Sequence, residues 1–289
     1  MRTRPENCSR YVFFLALYAL GPIVLLLKRQ ADAAGGKKKL WKTYLALFGA
    51  GALATGAAYG IERALTALLS PDPETGFGCF INAFIVAGMT EETVKFIALM
   101  LFIYWSERFT RYARGASFAS FVSLGFAFVE NLLYVFSNST AGGSLATAFF
   151  RAFTSIPGHF AFSIFMGYFV ALAVLGKKKG ENIFRTGQGF ATRAPKEKKR
   201  FYKRLALGLG SAVGVHGLYD FLLMFAAVPS QLRGLSLVLW IVCFIGMYYG
   251  RERDRAPGGY ARPDGGEKVD VEGEDHPEHR PSAGPRRYR

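Results

Sequence analysis

Cysteine is scarce in this chain of 289 residues, and recognisable metal motifs are missing. The three cysteines, Cys8, Cys79 and Cys243, lie far apart, in no spacing that is typical of metal ligands or redox pairs. Their odd number argues against a complete disulfide framework. The helical His-Glu-x-x-His signature is also absent. The sequence therefore indicates neither a disulfide-stapled domain nor a strong zinc motif.

Two further features are lacking. The first apolar run begins after Arg10 and has no small-residue cleavage site, which indicates a retained helix rather than a signal peptide. The two halves of the chain show no self-similarity, whereas many membrane carriers are built from inverted repeats. The missing repeats weaken a transporter interpretation without removing it.

Apolar residues, in contrast, are abundant. They make up 51% of the chain, with 15% aromatics, which exceeds the usual content of a soluble domain. Apolar runs recur, and each can reach roughly 20 residues, the length that spans a bilayer core at about 1.5 Å rise per residue. The sequence therefore predicts an all-α, polytopic transmembrane bundle in the cell membrane, in contact with the lipid bilayer.

The predicted spans number about seven. They lie near residues 11–27, 40–61, 79–105, 116–136, 149–175, 205–227 and 232–250. Together they define a predicted membrane domain over residues 1–250, with a basic cytoplasmic loop at 176–204. Residues 251–289 combine mixed charge with many Gly and Pro, so we predict a disordered cytoplasmic tail, in which His276 and His279 are solvated.

The net charge of +15 is carried by short Lys and Arg clusters between the apolar runs. Such clusters mark cytoplasmic loops and do not indicate a nucleic-acid partner. Seven spans would place the N-terminus outside and the tail inside. The basic N-terminal flank, with Arg2, Arg4 and Arg10, disagrees with that orientation.

Ionisable side chains lie inside the predicted spans, where each charge facing lipid costs about 2.5 to 3.5 kcal/mol. Helical spacing places Glu91 with Lys95, Glu130 with Tyr134, and His216 with Asp220 on single helix faces. At about 1.5 Å per residue these groups share a similar depth. We therefore expect one buried cluster, formed by Glu91, Glu92, Lys95, Glu130, Tyr134, Arg151, His159, His216 and Asp220.

Peptide hydrolysis in a membrane needs a base for water, a group that stabilises the oxyanion, and an acid for the leaving amine. Glu and His residues supply all three. Alternatively, His159, His216 and carboxylates including Asp220 bind a divalent metal such as zinc, with Asp220 either a ligand or the partner that orients His216. Each of these residues also has a purely structural alternative. Glu91 and Lys95 could form an ion pair that stabilises their helix, and the two histidines could form interhelical hydrogen bonds. Glu130 and Arg151 could be packing or topology residues near helix ends.

Four segments in order resemble motifs of the PrsW family of intramembrane proteases. The Glu-Glu-x-x-Lys motif is matched within residues 90–96, and three others within 125–134, 151–160 and 216–221. The family is distantly similar to the CAAX prenyl endopeptidases. The resemblance implies that Glu91 or Glu92 is the base, that His159 and His216 stabilise the oxyanion or bind metal, and that Asp220 supports His216.

The resemblance also implies a substrate class, namely a single-pass membrane protein cut near the outer leaflet, as in the first cut of an anti-sigma factor. Two other functions remain open. A proton- or ion-coupled transporter also uses buried Glu, Lys and His residues. A non-catalytic membrane scaffold is the third alternative, although it does not require polar groups from four helices at one depth.

Overall fold

The computed structural model describes residues 24, 28, 41–106, 109, 112–137, 141–175, 183–184 and 193–226. Over these residues the fold is all-α, as the apolar runs predict. The helices are α1 Trp41–Leu69, α2 Gly76–Phe80, α3 Thr90–Trp105, α4 Tyr112–Phe136, α5 Ala141–Phe153, α6 Ser155–Val174 and α7 Pro195–Met224, with a π-helical segment Ile81–Met89 between α2 and α3.

Four helical stretches in the described part are long and apolar enough to cross a membrane: 41–69, 114–136, 143–174 and 195–224. The chain is thus a multi-pass membrane protein, but the count of seven spans is not confirmed. The predicted spans 11–27 and 232–250 and the predicted tail lie almost wholly outside the described residues. The predicted span 79–105 is helical but is divided among α2, the π-helical segment and α3, which has 16 residues and carries Glu91, Glu92 and Lys95.

The fifth predicted span, 149–175, is two helices. Helix α5 ends at Phe153 and α6 begins at Ser155, with Thr154 between them at φ −116° and ψ −67°. Pro157 has no N–H to donate to the preceding turn, so the break coincides with the expected proline kink. Arg151 and His159 therefore lie on opposite sides of this break.

Two helices begin earlier than the apolar pattern indicates. Helix α5 starts at Ala141, between the predicted spans 116–136 and 149–175. Helix α7 starts at Pro195, inside the hydrophilic segment 176–204. Pro195 is at the first helical position and Glu197 follows in the first turn, which favours a helix start. The exposed polar first turn of α7 lengthens the helix without lengthening the apolar run from which its start was predicted.

Helix α4 is the centre of the bundle and packs against α1 on one side and α6 on the other. Glycines allow these helices to approach closely. A Cβ on Gly167 would lie 2.8 Å from Ala116 Cα, and one on Gly125 would lie 3.0 Å from Phe48 Cα. Close approach at small residues is the usual way in which membrane helices pack. It brings the polar faces of α3, α4, α6 and α7 together.

Helix α7 crosses the π-helical segment just before α3. A Cβ on Gly88 would lie 3.2 Å from the Gly217 backbone nitrogen, and one on Gly217 would clash with Phe84 Cδ1, so the crossing has little room for a side chain at either position. The neighbouring residues are Glu91 and Glu92 on one helix and His216 on the other. The glycine crossing therefore positions a carboxylate pair against an imidazole.

Candidate active site

The first turn of α3 carries a carboxylate pair bridged by a lysine. Lys95 Nζ lies 3.0 Å from Glu91 Oε2 and 2.9 Å from Glu92 Oε1. All three side chains are buried, and Glu92 is fully inaccessible. Because a buried carboxylate is stable only when paired, Lys95 is the group that allows two adjacent acids inside the bundle.

Lys95 also connects α3 to α6. Its Nζ donates to His159 Nδ1 at 2.9 Å and lies 4.0 Å from the centre of the Phe126 ring. An ammonium group has donors only, so Nδ1 of His159 is the acceptor and the ring proton is on Nε2. That Nε2 lies 2.9 Å from Glu130 Oε2, to which it donates. The two partners thus fix the tautomer and the orientation of His159.

Glu130 in turn is held by Arg151. Arg151 Nη2 donates to Glu130 Oε2 at 2.6 Å, and its Nε donates to Asn131 Oδ1 at 2.7 Å. The same Nη2 lies 2.9 Å from Ser155 Oγ, and the guanidinium carbon is 3.8 Å from the centre of the Tyr134 ring. This network joins α4, α5 and α6 across the break at Thr154. Its effect is to hold Glu130 against His159.

His216 approaches the carboxylate pair from α7. Its Nδ1 lies 2.9 Å from Glu92 Oε1, and its Nε2 lies 3.4 Å from Asp220 Oδ2 and 4.0 Å from Glu91 Oε2. The ring stacks on Phe162 with centroids 4.8 Å apart and planes 21° from parallel. Both ring nitrogens face carboxylate oxygens, so the imidazole can donate on either side.

The nine residues singled out from the sequence therefore converge in one network. Two of them, Tyr134 and Asp220, lie at its margin, beside Arg151 and His216 respectively. The inner members are Glu91, Glu92, Lys95, His159 and His216, which come from three helices. Sequence spacing alone predicted the pairs on each helix, whereas the contacts between helices are visible only in the structure.

One carboxylate of the neighbourhood escaped the sequence analysis. Glu62 lies on α1 and interacts electrostatically with Glu130, Lys95, His216 and Asp220. Helix α1 runs parallel to α4, with Tyr44 stacked on Phe121 and Thr55 donating to Phe126 O at 3.3 Å. Continuing this register by two turns places Glu62 within one helical turn of Glu130. The signal was its spacing of seven residues from buried Thr55, but the predicted span ended at Ile61.

The donor set of this cluster fits a divalent metal. Glu91, Glu92, His159 and His216 each offer a ligand atom, and these atoms lie within 4.8 Å of one another. Glu92 Oε2 is buried and has no hydrogen-bond partner among the described residues. An orphaned carboxylate oxygen beside two imidazoles is the kind of donor that zinc accepts. Glu130 would then be the carboxylate behind the ligand His159.

Comparison with known proteins agrees with this chemistry. Residues 39–247 match the family described as PrsW family intramembrane metalloprotease. Proteins named Protease PrsW from Oceanobacillus iheyensis and Clostridioides difficile are 32% and 34% identical, over 56% and 49% of this chain and 64% and 51% of their own lengths. The protein of the same name from Geobacillus kaustophilus is 31% identical over 63% of this chain and 67% of its own length.

The chain thus spans about half to two thirds of the length of these curated relatives. No solved structure matches it significantly. The matched region 39–247 contains every helix that contributes to the buried cluster. As this match covers well over half of the sequence, the chain belongs to the PrsW family.

Proposed function

We propose that this protein is an intramembrane endopeptidase that hydrolyses peptide bonds of membrane-anchored proteins. The single observation that carries the proposal is the pair Glu91 and Glu92, buried together with Lys95 and two imidazoles inside a membrane bundle. Membership of a protease family and the presence of a base, a proton donor and an oxyanion-stabilising group support it.

Glu91 is the proposed base. Its Oε2 accepts one close hydrogen bond, from Lys95, and lies 3.9 Å from His159 Nδ1 and 4.0 Å from His216 Nε2. Glu92 Oε1, in contrast, accepts from both Lys95 and His216 and is fully buried. Glu91 is therefore the less constrained carboxylate and stands between the two imidazoles, while Glu92 anchors Lys95 and His216.

In the proposed reaction, Glu91 takes one proton from water as the water oxygen bonds to the scissile carbonyl carbon. Lys95 and the doubly protonated His216 provide the positive field for the developing oxyanion. The carbon–nitrogen bond then breaks, and the amine leaves with a proton from His216 Nε2. Glu91 returns its proton to that nitrogen across the 4.0 Å gap, which restores both groups.

A divalent cation is a second component of the proposal. Glu92, His159 and His216 would hold it, with Glu91 beside it as the base, and when bound it would lower the pKa of water and polarise the carbonyl. The buried oxygen Glu92 Oε2, which has no hydrogen-bond partner among the described residues and lies beside two imidazoles, supports this component. With the cation bound, His216 would be a neutral ligand, and the proton that Glu91 takes from water would pass to the leaving amine.

The substrate in this proposal is a single-pass membrane protein, with an anti-sigma factor as the specific example. Family membership supports this class, and the buried position of the cluster supports a peptide bond that lies within or at the edge of the bilayer. Water, which is the second substrate, must enter the same polar interior, because the surrounding helices are apolar.

The test uses purified protein in proteoliposomes with a single-pass anti-sigma factor as reporter. We expect Glu91→Gln to lower cleavage by about 1,000-fold, as loss of a general base does. Glu74→Gln removes an exposed loop carboxylate and serves as the matched control, which should cleave normally. Cleavage by Glu91→Gln at the control rate would exclude Glu91 as the base. If the Glu92→Gln and His216→Ala variants also cleave at that rate, the peptidase assignment is excluded.

Metal dependence is tested in the same assay. Phenanthroline should abolish cleavage by the wild-type protein, and added zinc should restore it. Metal content of the purified protein gives a second readout, and we expect His159→Ala to lose bound zinc. Full activity after complete removal of metal would assign His216 to proton donation and leave the cluster as a metal-free site.

A further inference from the structure

A groove runs along the outside of the bundle between α1 and α3. It encloses about 850 Å³ and is lined almost entirely by apolar side chains. Its walls include Leu53, Ala54 and Ala57 from α1 and Val94, Ile97 and Leu101 from α3. Leu53 is 82% exposed and Leu101 is 59% exposed, so both walls are open to the surroundings.

The groove and the buried cluster share helix α3. Glu91, Glu92 and Lys95 face the interior, whereas Val94, Ile97 and Leu101 repeat at helical spacing on the groove face. Val94 is the groove residue nearest the start of α3 and is adjacent to Lys95 in sequence. One end of the groove therefore reaches the level of the carboxylate pair, and the other ends at Trp105 and Ser106.

The α1 wall consists mainly of small residues. Ala50, Ala54 and Ala57 line it together with Leu53. Ala50 and Ala54 are four residues apart, the spacing at which small residues let another helix backbone approach. This spacing favours a helix as the occupant of the groove.

The dimensions of the groove also suit a helix. From Thr43 to Ala57 it follows α1 for roughly 21 Å, which is about two thirds of a hydrocarbon core of about 30 Å. An apolar helix of that length would fill the groove and end beside Val94. The peptide that continues beyond the helix would then pass Glu91. Peptide bonds within a helix are protected by the backbone hydrogen bonds of that helix. The peptide bonds that are accessible to hydrolysis are therefore those just beyond the end of the groove.

We propose that this groove binds the apolar transmembrane helix of the substrate and presents its end to the carboxylate pair. The inference rests on the proposed peptidase function and deepens it by naming the surface that selects the substrate. It explains how a buried site acts on one bond near the end of a membrane span: the length of the groove fixes where the helix stops.

The binding test does not require cleavage. The probe is a peptide of about 20 Leu and Ala residues flanked by Lys, a length chosen to span the bilayer, with one photoreactive side chain at its centre. It is reconstituted with the Glu91→Gln protein in phosphatidylethanolamine and phosphatidylglycerol vesicles. We expect crosslinks to concentrate on groove residues of α1 and α3, identified by mass spectrometry.

Groove-filling variants give the matched comparison. Ala54→Phe and Ala57→Phe should each reduce the crosslinks at least about tenfold, the effect of losing roughly 1.4 kcal/mol of binding. Ala206→Phe makes the same change at an exposed position of α7, outside the groove, and should leave the crosslinks unchanged. Thermal unfolding of each variant verifies that the bundle is intact.

The outcomes separate this inference from the proposed function. Crosslinks spread evenly over the bundle, or unaffected by Ala54→Phe, would overturn the groove assignment even if wild-type cleavage is normal. Capture instead of a photoreactive lipid, of a second copy of the chain, or of its own segment 11–27 would overturn it as well. Groove crosslinks without any Glu91-dependent cleavage would support the groove and overturn the peptidase.

Discussion

The polar network has two halves that differ in burial. Around Lys95, the side chains of Glu91, Glu92, His159 and His216 are at most 7% exposed. Around Arg151, the guanidinium and Glu130 are 17% and 14% exposed and are joined by further hydrogen bonds from α4 and α6. The first half contains the groups to which we assign the chemistry, while the second half contacts and orients His159. Among the residues that the structure describes, the most deeply buried charged side chains are therefore those for which the chemistry is proposed.

The largest effect on activity should come from the carboxylate pair. We expect both Glu91→Gln and Glu92→Gln to lower kcat by about 1,000-fold, but for different reasons. Glu91→Gln removes the base and should keep bound zinc, whereas Glu92→Gln removes an anchor of His216 and should lose it. Single-turnover cleavage and metal analysis on the same samples check this. Equal metal loss in both variants would remove the distinction between them.

The largest effect on stability should come from Lys95→Met. This change leaves two buried carboxylates without their cation, and breaking a buried ion pair in this way costs about 3 to 5 kcal/mol. The measurement is thermal unfolding in detergent, and the matched control is Lys42→Met, which removes an exposed lysine of α1. If the two variants melt alike, Lys95 is not the group that holds the inner half together.

A smaller effect is expected from the half that orients His159. Glu130→Gln retains an acceptor for His159 Nε2 but loses the charge that Arg151 holds in place. Loss of such a supporting carboxylate typically lowers activity or metal affinity by about 10- to 100-fold. We expect the loss in kcat with KM nearly unchanged. A change in KM alone would instead assign Glu130 to substrate binding.

The smallest effect should come from Tyr134→Leu. The ring lies 3.8 Å from the Arg151 guanidinium, and a cation–π contact at such a partly exposed site contributes about 0.5 to 1 kcal/mol. We expect activity to fall by no more than about fivefold, the kinetic equivalent of 1 kcal/mol. Tyr134→Phe keeps the ring and should behave as wild type. An effect of Tyr134→Phe as large as that of Tyr134→Leu would point to the hydroxyl.

Some parts of the site were predictable and others were not. Charged residues in apolar runs cannot face lipid, so the members of the cluster followed from composition and helical spacing. The bond between Lys95 and His159 did not, because it joins residues 64 positions apart on different helices. Glu62 was missed because hydropathy placed the end of the span at Ile61, whereas α1 continues to Leu69.

By itself the sequence determined that this protein is an all-α membrane bundle with a polar interior, because apolar run length and the cost of charge in lipid are local properties of the chain. Only the tertiary structure decided which carboxylate pairs with which imidazole, which oxygen of Glu92 stays unpartnered, and where α1 and α3 leave a groove. These depend on how glycine crossings set the rotation and depth of neighbouring helices, and helical spacing along one segment contains no information about either.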